Sequence, residues 1–222
     1  MTRPDIVYGV SLLSRYMETP RESHWQVAKR ILRYIKGTLS FGLQYAYGEK
    51  LELIGYSDSD WARDPEEHKS TTRYVFFYST IAFSWSSKKQ SVIALSTCEA
   101  EYVAVAFTVC EAIWLKNLVS TLGCLNQEPV IIYVDNKSAI KLTKNPIQHG
   151  RSKHIDTRFH FICQHVKQGT VELEYYHTLE QVVNIFTKPL SFKSFEKLRK
   201  MLGMKELQQG SSAGKIDQPD SV

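Results

Sequence analysis

A chain of 222 residues, 43% hydrophobic and 23% charged, has the composition of an ordinary globular protein with room for one or two domains. Its net charge of +5 suits a polyanionic partner without demanding one, and residues 1–50 hold much of it, with eight Lys/Arg against four Asp/Glu. Four cysteines with no CxxC pair exclude a dense disulfide framework and point to free thiols in a reducing compartment.

Asp5 and Arg15 interrupt the N-terminal stretch MTRPDIVYGVSLLSRYMETP, which also lacks a cleavage site, so no signal peptide is expected. No run approaches the length of a membrane span. Residues 23–36, SHWQVAKRILRYIK, predict an amphipathic helix capped by Ser23 and ended by Gly37. Trp25, Ala28, Ile31, Leu32 and Ile35 form its apolar stripe, and Lys29, Arg30, Arg33 and Lys36 face outward. From 51 to 88 the pattern is β: Leu51 and Leu53 lead into GYSDSDWARD, and YVFFYST and IAFSWSS form a hairpin. LSTCEAEYVAVAFTVCEAIWLKNLVSTLG predicts a long helix, with Val103, Ala104, Phe107, Trp114, Leu115 and Leu118 at helical spacing and Gly123 at its end.

The apolar run of PVIIYVD is that of a strand buried on both faces. A short helix, NKSAIKLTKN, stops before Pro146; another covers 156–168; TVELEYYH is a last strand; and a helical region over 179–202 is interrupted at Pro189. This order predicts an α/β domain with a mixed sheet, preceded by a helical fragment, and residues 206–222 form a polar tail expected to be disordered.

The acids at the ends of these elements carry the chemistry. Asp58 and Asp60 are two apart on a strand and leave the same face, so a lysine, water or a metal ion must relieve their repulsion. Asp58 ends the first strand of the domain, and Asp135 ends the buried strand, at the carboxyl edge where open α/β sheets hold ligands. Ser96 to Glu99 is a capping box that occupies Glu99, whereas Glu101 has no such local task. Any one of these acids reads most simply as a solvated or capping side chain. As a set, Asp58, Glu101 and Asp135 are expected to converge on one sheet edge around a cation. Hard oxygen ligands favour Mg²⁺ or Mn²⁺ over zinc, and a pair of such ions serves in-line attack on a phosphodiester.

YSDSDWARD, KSTTRYVF, WSSKKQSVIALSTCEAEYVAVA, IYVDNKSAIKLTKNP, RSKHIDTRFHFI and NIFTKPL closely resemble the ribonuclease H domain of copia-type retrotransposon polyproteins. Residues 2–38 resemble the end of the reverse transcriptase that precedes it. The resemblance implies a ribonuclease H-like mixed five-stranded sheet flanked by helices over 49–205, after a helical polymerase fragment over 1–48. It also implies metal-dependent hydrolysis of RNA in an RNA–DNA hybrid, with the rest of the polyprotein as a further partner, no membrane, and a cytoplasmic or nuclear location. Asp58, Glu101 and Asp135 match the family's metal-binding acids. The fourth acid is replaced by Asn184, and Arg73 stands where the family has a small, glycine-like residue. Feeble hybrid cleavage or none, with the rate raised by Asn184→Asp, is therefore expected.

Several smaller signals have plainer readings beside them. His177 suits proton transfer or product release, but also reads as a surface histidine. Arg151, Lys153 and His154 form a basic loop for phosphates or a structural motif, and His154, His160 and His165 do not share a face at zinc-ligand spacing. Trp61 and Trp85 are expected in the core rather than stacked on bases. Arg30–Arg33, RILR, fits the short Arg-x-Leu-Arg pattern of secreted, host-directed effectors. An effector recruited from a transposon fragment, or a non-catalytic nucleic-acid-binding remnant, is the alternative to the nuclease.

Overall fold

The computed structural model describes residues 2–45, 52–61, 68–123, 128–144 and 153–207, except the side chains of 144, 153–157, 159 and 179. Its centre is a five-stranded sheet in the order β4-β3-β2-β5-β6, formed by β2 (Leu53–Asp60), β3 (Thr71–Tyr78), β4 (Ile81–Lys89), β5 (Val130–Val134) and β6 (Val171–Tyr175). β2, β3 and β4 are antiparallel neighbours, whereas β2, β5 and β6 run parallel. This is the expected mixed sheet, and β2 and β5 lie side by side at its middle. β3 and β4 close through a two-residue connection, Ser79 and Thr80, whereas β5 and β6 are joined by a helical crossover.

Helices α3 (Thr97–Thr121), α4 (Lys137–Lys144) and α5 (Lys153–Lys167) cover one face. There Phe76, Val105, Val109, Ala112, Leu115, Ile132 and Ile162 form the main core. Gly55 makes room for it, since a Cβ at that position would meet the Phe76 ring at 2.7 Å. Phe76 is fully buried, and Phe76→Ala is expected to lower unfolding free energy by about 3–5 kcal/mol in denaturant titration.

The 3-10 segment Val182–Phe186 and α6 (Phe192–Met201) cover the opposite face, where Phe186, Val183, Leu198, Leu202 and Met204 pack with Val75 and Phe77. Residues 2–45 join the molecule on this side. Helix α1 (Val7–Ser14) sits against β4 and buries Val7, and the three-residue strands β1 (Phe41–Leu43) and β7 (Met204–Glu206) form a separate antiparallel pair. Arg3 grips buried Asp5 through two hydrogen bonds of 2.7 and 2.9 Å, Tyr34 donates to Asp5 at 2.7 Å, and Arg199 of α6 donates to Tyr34 at 3.1 Å. The expected boundary at 48/49 and residues 208–222 of the expected tail lie outside the described residues. Glu206 and Leu207, expected to be disordered with that tail, are instead ordered in and beside β7, where the Leu207 N–H donates to the Ser40 carbonyl at 2.7 Å.

Five sequence expectations about the helices and Trp61 are corrected. The helix α2 (Glu22–Lys36) is capped at Arg21, whose N–H donates to His24 Nδ1, not at Ser23. Its stripe is also displaced, because Trp25 and Leu32 are more than half exposed. On α3, Phe107, Trp114 and Leu118 are exposed, and the buried side runs through Ala100, Val105, Thr108, Val109 and Ala112 instead. By length and composition α3 is also able to cross a membrane, contrary to the reading of no such run; here it is the central core helix. Trp61 is 47% exposed, its Nε1 donating to the Ala94 carbonyl, whereas Trp85 packs against the second core.

Candidate metal centre

β2 and β5 pair in parallel with Ser57 opposite Val134, so the next residues, Asp58 and Asp135, emerge side by side at the strands' carboxyl ends. Alternation along β2 turns Ser57 and Ser59 toward α3, where the Thr108 hydroxyl donates to Ser57 Oγ at 2.9 Å. Asp58 and Asp60 therefore leave by the other face, the one that Tyr56 shares with the second core. Glu101 arrives from α3, whose start is fixed by the capping box: Ser96 Oγ accepts from the Glu99 N–H, and Glu99 accepts from the Leu95 N–H at 2.8 Å. That leaves Glu101 free to reach the strand end, where its Oε1 accepts from the Ser59 N–H at 3.1 Å.

Oxygens of Asp58, Glu101 and Asp135 all lie within 4.8 Å of one another, the predicted convergence. Asp58 and Glu101 are buried and Asp135 half-buried. Burial, then the charges of Asp135 and Asp60, push the Asp58 carboxyl up to about 7, against the opposing pull of Arg73. Glu101 is held well above the carboxylate range by burial and by its two acidic neighbours. Asp135 is raised chiefly by burial, with a Thr178 hydrogen bond and the charge of Lys188 acting the other way. Glu101 Oε2 is buried with no hydrogen-bond partner. Three clustered carboxylates with an idle buried oxygen form a donor set that fits a hard divalent cation.

Asn184 lies in the Val182–Phe186 segment, half-buried. Its Nδ2 donates to the Thr178 carbonyl at 2.7 Å, and the Thr178 side chain hydrogen-bonds Asp135. Thr178 thus joins the fourth position to the cluster, a link no spacing in the sequence announces. Gln181, fully buried, donates to the Ser57 carbonyl at 3.2 Å and ties the same segment to β2. His177 is exposed just after β6. The Arg151 position and the Lys153 and His154 side chains lie outside the described residues.

The counter-charge found at Asp60 is Arg73, a partner sequence reasoning missed. Arg73 Nη2 pairs with Asp60 Oδ2, and the Thr71 N–H donates to Oδ1 at 2.5 Å. The hairpin register that puts Arg73 opposite Asp58 is what brings it there.

The retrovirus-related Pol polyprotein from transposon RE2 of Arabidopsis thaliana is 40% identical to the chain over 203 residues, 91% of the chain. Nearly the whole chain is thus homologous to one segment of the Pol polyproteins of copia-type retrotransposons. The chain spans 14% of the RE2 polyprotein's length and contains the ribonuclease H-like domain. No family model matches. The Secreted RxLR effector protein 161 of Plasmopara viticola is 44% identical over 115 residues, which cover 52% of this chain and 81% of that protein. Among solved structures, LC11-RNase H1 in complex with an RNA/DNA hybrid superposes with a TM-score of 0.39 at 14% identity, over 57% of this chain and 84% of that one.

Proposed function

We propose that this domain of the copia-type Pol family binds Mg²⁺ or Mn²⁺ at Asp58, Glu101 and Asp135 and hydrolyses the RNA strand of an RNA–DNA hybrid. The observation that carries the reading is the convergence of three carboxylates from three separate elements within 4.8 Å. Charge supports it: such a cluster repels itself unless protonated or neutralised by a cation. Bound divalent ions supply Lewis acidity for the attacking water and the leaving oxygen. The chain's own task is to hold the ligands still. The Ser59 N–H orients Glu101, leaving Oε2 for the ion, and Thr178 orients Asp135. Asn184, in the fourth position, offers a neutral oxygen in place of a charged one and weakens that side of the site. Lys188, whose charge reaches Asp135, is suited to steer a backbone phosphate toward the centre.

The test is cleavage of a labelled hybrid by the purified chain with Mg²⁺ or Mn²⁺. Slow, ion-dependent cleavage lost in Asp58→Asn supports the reading; cleavage that persists in Asp58→Asn and in chelator contradicts it.

A second reading, a secreted host-directed effector, is favoured by the similarity to the Plasmopara viticola protein. The RILR segment lies inside α2, with Arg30, Leu32 and Arg33 exposed. A tagged chain found in the cytoplasm or nucleus supports the nuclease reading, and one found in culture fluid supports the effector.

A further inference from the structure

Asp60 follows Asp58 by two residues on β2 and shares its face, yet it stands outside the carboxylate cluster. Arg73 keeps it there. Arg73 is opposite Asp58 in the β2–β3 register, is only 2% exposed, and binds Asp60 Oδ2, while the Thr71 N–H takes Oδ1. Both oxygens of Asp60 are thus engaged. Arg73 itself is incompletely satisfied, because its Nε and Nη1 are buried without a partner. Stability alone does not account for such a pair, since the desolvation of buried charges roughly cancels their attraction.

Asp60 is also close to the position that lacks a carboxylate. Asp60, Arg73 and Thr187 line one cavity of about 110 Å³ beneath α1. The Thr187 hydroxyl in turn donates to the Asn184 carbonyl at 2.9 Å and lies 3.5 Å from Asn184 Oδ1. A single hydroxyl therefore separates the cavity holding Asp60 from the amide in the fourth ligand position. We propose, on the reading of the cluster as a divalent-cation centre, that Arg73 is a lock on a spare carboxylate: it withholds Asp60 from the cation, and its removal lets Asp60 stand in for the acid missing at Asn184. Arg73 is a positioning residue in this arrangement. It touches no ligand oxygen of the cluster but sets how many acids the cluster has.

The experiment is a calorimetric Mn²⁺ titration of the wild type, Arg73→Gln, Asp60→Asn and the double variant, with Asp58→Asn as control and circular dichroism to verify folding. Arg73→Gln is expected to bind Mn²⁺ about tenfold more tightly than the wild type, because an unpaired carboxylate is added to the site. The gain is expected to vanish in the double variant. If it survives there, Arg73 acts through its own charge and the lock is overturned; unchanged affinity in Arg73→Gln overturns it equally. A wild type that shows no Asp58-dependent Mn²⁺ binding overturns the metal centre itself, and the lock with it. Arg73→Thr, a strand-favouring substitution, replaces Arg73→Gln in the titration if the latter does not fold.

Discussion

Asn184→Asp is expected to raise metal-dependent cleavage of an RNA–DNA hybrid by about 10²-fold, the scale on which single electrostatic contributors act in such sites. The local hydrogen bonds explain why a one-atom change has so large an effect. The wild-type amide donates from Nδ2 to the Thr178 carbonyl at 2.7 Å, so its orientation is set by a bond that only an amide makes. A carboxylate has no proton to give that carbonyl and is repelled by it. The new side chain would be driven off Thr178, toward a cation held by Asp135, whose own side chain Thr178 steadies. Single-turnover cleavage at saturating Mg²⁺ checks this. A rate equal to the wild type's would mean that position 184 does not face the reacting centre.

Asp58→Asn is expected to act in two opposite directions. Cleavage should fall by about 10³-fold or more, because one of the three clustered ligands is lost. The ion-free protein should meanwhile become more stable at a pH of about 7.5. The native Asp58 carboxyl titrates near 7, against about 4 in the unfolded chain, so the native state binds the proton more tightly. Its stabilising protonation is complete below about pH 4 and is lost as pH rises to about 7. At about pH 7.5 the ionised group costs roughly 2–4 kcal/mol, which the asparagine removes. In chelator, the variant is expected to unfold at higher denaturant than the wild type at that pH, with the difference closing toward about pH 4. Added Mn²⁺ should reverse the order by stabilising the wild type alone.

The acids were legible because each lies at or near the end of an element whose type the local pattern declares. Asp135 follows five residues of a strand that is fully buried only on the Val130, Ile132 and Val134 side rather than on both faces as expected, and Glu101 follows a capping box that fixes where α3 begins. The two-residue and 3.6-residue periods place such residues without knowledge of distant contacts. Contacts between elements were not legible. Arg73 reaches Asp60 only through the β2–β3 register, and the stretch between those strands carries no short turn signature to set it. β1 and β7 pair from opposite ends of the chain, each only three residues long, too short to show a period. On α3 the large side chains Phe107 and Trp114 drew the stripe toward themselves. The face that packs on the sheet is instead lined by small residues, Ala100, Ala104, Thr108 and Ala112, which let the helix approach closely.

Titration of the ion-free chain with Mn²⁺, beside Asp58→Asn and Glu101→Gln, tests the centre most directly. The account predicts saturable binding to the wild type at about pH 7.5, weakened by at least about tenfold in each variant and diminished in the wild type as pH falls below about 7, where Asp58 takes up its proton. Equal binding by all three proteins, or no binding by any, would contradict it.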